Sequence, residues 1–167
     1  MAARRAMGIT VHTGWGACVV VGGSLAHPEV IANTVIEILP QDERFCFHSA
    51  ATMKLAAATE WIERMRAKAL TAARRELTPL TPRVSVCAIV AKPGEPGDLG
   101  KVMESHPRIH TAEGCFYRDV LRAACPVPTH VVPPASLDLS RVGKLAAPPW
   151  GRDQKLAALA AWSLIGG

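Results

Sequence analysis

Seven consecutive residues, Val84-Ser-Val-Cys-Ala-Ile-Val90, carry one hydroxyl among otherwise apolar side chains. Successive side chains of a strand point to opposite faces, so a run that is apolar at both odd and even positions has two faces to bury. That demand is met by an interior strand of a sheet with helices on both sides, which places the chain among α/β proteins. The residues before it supply one such helix. Ser49 can cap a helix running from Ala50 to about Leu77, along which Leu55, Ala58, Ile62, Met65, Ala69 and Ala72 recur at steps of three and four. This stripe is expected to lie on the sheet, and Thr78-Pro-Leu-Thr-Pro82 ends the helix.

The remaining segments can be placed around this pair. Gly8 to Thr13 and Ala17 to Val21 read as two strands of an opening hairpin, with the glycines 8, 14, 16, 22 and 23 serving its turns. Val30 to Leu39 is rich in β-branched residues and reads as a third strand, with a short helix from Pro28 as the alternative, and is ended by Pro40-Gln-Asp42. Lys92-Pro-Gly-Glu-Pro-Gly97 forms a loop at the carboxyl end of the interior strand, where open α/β sheets hold their ligands. A helix from Thr111, as N-cap, to Ala124 follows, then a short strand Thr129-His-Val-Val132. Asp138 to Ala147 reads as mixed helix and loop, and Gly151 to Ile165 closes the chain as a helix after Pro148-Pro-Trp150.

With 167 residues, 49% hydrophobic and 20% charged, the chain matches ordinary globular usage for one domain over residues 8–167, with residues 1–7 as a disordered basic tail. No apolar run approaches the roughly 20 residues of a membrane-spanning helix. Nothing at the N-terminus resembles a secretion signal, so a cytoplasmic location is expected. Five cysteines with no Cys-x-x-Cys pair read as free thiols. A formal charge of +5 suits a phosphate-rich partner such as nucleic acid. Much of it lies on the long helix, in Arg64, Arg66, Lys68, Arg74 and Arg75, where a solvated face is the simpler reading.

Three strands, a long helix, then strand, helix, strand and helix is similar to the order of the ribonuclease H-like superfamily, a mixed sheet flanked by helices. The C-terminal third narrows this further. Val127-Pro-Thr-His-Val-Val-Pro-Pro-Ala-Ser-Leu137, Val142-Gly-Lys144 and Arg152-Asp-Gln-Lys-Leu-Ala-Ala158 resemble the last strand and helix of RuvC-type resolvases. The resemblance implies a cleft bearing metal-binding carboxylates, and here the sequence departs from it. The first-strand position that is aspartate in active members is read as His12, the interior strand ends in Val90-Ala91-Lys92, and only Asp153 matches an acidic position. The expected site is therefore a degenerate cleft of His12, Lys92 and Asp153, with Arg152 and Lys155 binding phosphate at a helix start. It would act in nucleic-acid binding or in a non-standard phosphoryl or nucleotide reaction.

A second constellation is His106-Pro-Arg-Ile-His110-Thr-Ala-Glu113, with two imidazoles and a carboxylate at the i, i+4 and i+7 spacing of a metal site. Pro107 and Thr111 point to a loop before the helix, which would remove that spacing. The alternative function is accordingly a small-molecule enzyme using His106, His110 and Glu113, with a divalent metal among its admissible cofactors. His48 joins His12 as a histidine beside a strand end, with a buried structural role as the simpler reading for each. A third class, a non-catalytic interaction module, is suggested by Trp15 and Trp150 if they are exposed. The oligomeric state is left open, a dimer included.

Overall fold

The computed structural model describes residues 4–145 and 150–166. Its sheet has five strands: β1 (Arg5–His12), β2 (Trp15–Gly23), β3 (Pro28–Glu37), β4 (Val84–Val90) and β5 (Thr129–Val132), in the spatial order β3-β2-β1-β4-β5. The first three form an antiparallel meander, and β1, β4 and β5 run parallel. The helices are α1 (Cys46–Ala50), α2 (Leu55–Leu77), α3 (Leu99–Met103), α4 (His106–Ala124) and α5 (Arg152–Ser163).

The double-sided pattern of β4 is realised as the sequence requires. Cys87 and Ile89 enter the larger core beneath α2 and α4, while Ala88 and Val90 meet Leu156 and Ala160 of α5 on the other face. β1 divides in the same way, with Met7 and Ile9 toward α2 and α4 and Ala6 toward α5. The sheet is thus a middle layer, and its two central parallel strands end side by side, with Thr10 paired to Val90.

Four expectations are corrected. Residues 5–7 belong to β1, with Ala6 and Met7 fully buried, so the strand begins three residues before Gly8 and takes in part of the expected tail. The helix expected from Ala50 is two helices, α1 and α2, separated by Ala51 to Lys54, with Lys54 at the N-cap in place of Ser49. The stripe of α2 buries Ala73 and Leu77 rather than Ala72, and Leu55 is exposed. Helix α4 starts at His106 instead of following Thr111, because Pro107 occupies the first turn, where no backbone N–H is needed. Trp15 and Trp150 are half-buried, Trp15 against His12 and Trp150 against the α5 side of the core. Pro148 and Pro149, part of the expected break before α5, lie outside the described residues.

Candidate functional site

At their carboxyl ends β1 and β4 diverge. β1 turns back into β2 through Thr13 and Gly14, whose φ of +82° suits a glycine, while β4 runs into the Lys92–Gly97 loop. A crevice opens between them, and the first turn of α5 forms one of its walls. Thr10 fixes that wall: its hydroxyl donates to the backbone carbonyl of Asp153 at 2.6 Å. The resulting cleft has a volume of about 480 Å³.

His12, Lys92, Arg152 and Asp153 all line this cleft, so four of the five residues expected there are brought together. Lys155 stands three residues further along α5 and is not in the lining. His12 Nε2 is 2.9 Å from Asp153 Oδ1, and its ring stacks on Trp15 at a centroid separation of 4.2 Å and 9° between planes. The stack orients the imidazole plane, and the carboxylate meets Nε2 as a close contact without hydrogen-bond geometry. Among the described residues, Asp153 is the sole carboxylate in the lining, against Lys92 and Arg152 as permanent cations.

Two residues that position the walls of the cleft escaped the sequence. Thr10 joins β1 to α5 across 143 positions, which no local pattern reports. Arg118, buried on α4, pairs with Asp119 at 2.9 Å and donates to the carbonyls of Gly94 and Lys92 at 2.8 and 3.4 Å. It pins the loop carrying Lys92 to the helix layer. The paired carboxylate holds the Arg118 guanidinium above its ordinary range, so it stays charged there.

The histidine group borders the same cleft, since His110 and Thr111 line it. His106 and His110 occupy i and i+4 of α4, with their Nε2 atoms 2.9 Å apart. Glu113 does not join them as a third ligand. It is buried, and its Oε1 accepts from the backbone N–H groups of Phe47 and His48 at 2.9 and 3.3 Å, with His48 Nδ1 at 3.2 Å. The third imidazole beside His106 and His110 is that of His48. Burial pushes the Glu113 carboxyl up, and the contacts from His48 and the α1 backbone oppose that shift without cancelling it.

A larger hollow of about 710 Å³ opens between the end of β3 and α2. Lys68 there is paired with Glu43, and among the described residues neither a histidine nor a cysteine lines it. The chemistry-bearing side chains gather in the cleft instead.

A mixed five-stranded sheet of this order, flanked by helices on both faces, has the ribonuclease H-like α/β fold. No protein-family model matches the chain, and no curated protein matches it in sequence. Among solved structures it is similar to T. thermophilus RuvC in complex with a Holliday junction substrate. The match has a TM-score of 0.52 at 16% identity, covering 96% of this chain and 91% of that one. A second structure of Thermus thermophilus RuvC matches with a TM-score of 0.48 at 16% identity, covering 95% and 92%. The first of these likenesses bears out the ribonuclease H-like fold expected from the element order and narrowed by the C-terminal third.

Proposed function

We propose that this chain binds the phosphate backbone of a nucleic acid in the cleft at the ends of β1 and β4. One observation carries the reading: Lys92 and Arg152 both line a cleft in which, among the described residues, the sole carboxylate already faces His12. Lys92 stands on a loop held by Arg118, and Arg152 opens α5, where unpaired backbone N–H groups add to the attraction for an anion. The similar RuvC structure is a complex with a Holliday junction substrate, which favours a nucleic acid over a small phosphate ester.

The resemblance to RuvC-type resolvases also brings divalent metal ions with it, and the donors of the cleft do not fit them. Hard cations of this kind take six or more oxygen ligands, and paired-metal cleavage holds two ions ~4 Å apart between carboxylates. Asp153 offers one carboxylate, with Oδ1 facing His12 and two permanent cations nearby. The cleft suits binding, and we derive no cleavage step from it.

The test is fluorescence anisotropy with labelled single-stranded, duplex and four-way-junction DNA over a range of salt. Binding should weaken linearly with the logarithm of salt concentration, with a slope of about −0.9 per neutralised phosphate. The double variant K92A/R152A should lose affinity for every DNA form and show a slope shallower by roughly 2. R64A/R74A removes the same charge from the outer face of α2 and should bind like the parent. Absence of binding at low salt to all three forms overturns the proposal, as does a loss confined to R64A/R74A.

A further inference from the structure

We propose that His48, His106 and His110 form a binding site for one divalent transition ion of the zinc class, with Glu113 orienting His48 from behind. The site stands independently of the nucleic-acid reading, because it uses none of Lys92, Arg152 or Asp153.

Three elements build it. Helix α4 supplies His106 and His110 on one face because it begins at His106, with Ser105 extended at the N-cap and Pro107 in the first turn. Helix α1 supplies His48 and is held by Glu113 through its Phe47 and His48 N–H groups. Trp61 of α2 anchors α1 from the other side, its Nε1 donating to the Cys46 carbonyl at 3.0 Å. The three rings lie with centroids 5.4 Å apart for His48 and His106, 4.9 Å for His48 and His110, and 4.4 Å for His106 and His110. One ligand nitrogen from each lies within 4.8 Å of the others.

The chemistry selects a cation. Two imidazole nitrogens 2.9 Å apart repel through their lone pairs unless a proton or a metal ion lies between them, and here a third ring converges on the same point. Tetrahedral ligands ~2.0–2.1 Å from zinc lie ~3.4 Å apart, so small side-chain rotations bring these nitrogens to bonding positions. His48 Nδ1 faces Glu113 Oε1, which leaves Nε2 as its free donor atom. A carboxylate on the far nitrogen of a histidine ligand fixes its ring and raises its basicity. Imidazoles without thiolates or hard oxygen donors favour zinc, nickel or copper over magnesium or calcium. Three protein ligands leave a fourth position, as in catalytic rather than structural zinc sites. His110 lines the cleft, so that position would border it.

Chelator-stripped full-length protein is titrated with Zn2+ against a chromophoric chelator, and in parallel with Co2+ followed by visible absorption. One equivalent should bind, Co2+ should give a four-coordinate nitrogen-ligand spectrum, and excess Mg2+ should not compete. H106A and H110A should each abolish stoichiometric binding, with circular dichroism confirming that they fold. E113Q keeps the shape of the side chain and should weaken Zn2+ binding by about 10–100-fold. H27A alters an exposed histidine in the β2–β3 connection and should bind normally. Failure of the stripped parent to take up Zn2+ overturns the proposal, and so does unchanged uptake by folded H106A and H110A. DNA binding is absent from this assay, so either proposal can fail while the other stands.

Discussion

A methyl group on Gly8 would have nowhere to go, because its carbon would sit 1.8 Å from the carbonyl oxygen of Ala157. Helix α5 therefore rests on β1 at backbone contact, and that contact sets the height at which Asp153 and Arg152 meet the cleft. G8A has to push the helix off the sheet. Overpacking against backbone should cost about 3 kcal/mol, the upper part of the usual range, and lower the melting temperature by roughly 6–12 °C in a chain of this length. A thermal melt by circular dichroism checks it, and an unchanged midpoint would mean that α5 does not lie against Gly8. The sequence reading assigned this glycine to a turn. Gly14 and Gly23 do serve turns, with φ of +82° and +81°, but Gly8 is needed inside a strand. A glycine kept for closeness looks the same in sequence as one kept for φ, because the reason lies 149 residues away at Ala157.

Among the elements, the sequence revealed periodicity well and boundaries poorly. The stripe of α2 and the double-sided β4 follow from spacing and were legible. The break between α1 and α2 was not, since Ala51-Thr-Met-Lys54 contains neither glycine nor proline. It is held by tertiary contacts, among them Glu113 on the N–H groups of Phe47 and His48 and Trp61 on Cys46. For the same reason only two of the three histidines of the group were readable together. His106 and His110 share one segment, whereas His48 meets Glu113 across 65 positions. If Glu113 holds α1, removing it should loosen that helix before anything else. E113A leaves one buried and one part-buried N–H group without their acceptor and opens a cavity, at a cost of about 2–4 kcal/mol. Hydrogen exchange should show the amides of residues 46–50 losing protection while β1 and β4 keep theirs. Uniform loss across the sheet would assign Glu113 a global role instead.

At the scale of the whole molecule, charge and proton binding act together. Several cations of α2 are already partnered, Arg66 over the Phe116 ring, Lys68 with Glu43 and Arg75 with Glu76, so the basic composition says less about ligands than the two cations of the cleft do. The alkaline side of the stability curve is governed by the core. Burial pushes the thiols of Cys18 and Cys46 up to about 12 and the Tyr117 hydroxyl up as well, while the Cys87 thiol is raised first by its hydrogen bond to Cys125 and then by burial. Cys125, half-buried, moves the other way because the neighbouring Cys87 thiol favours its thiolate, and its contribution is complete once the ordinary thiol range is passed. Above pH ~9 the unfolded chain releases protons from the raised groups while the folded chain keeps them. The unfolded state then binds fewer protons, and stability falls as pH rises. Each of Cys18 and Cys46 should remove ~1.4 kcal/mol per pH unit between ~9 and 12. Urea unfolding at pH 8, 9 and 10 measures this directly, and C18A/C46A should flatten the decline even though it lowers stability at pH 8. A decline equally steep in the double variant would move its origin from these two thiols to Cys87 and Tyr117.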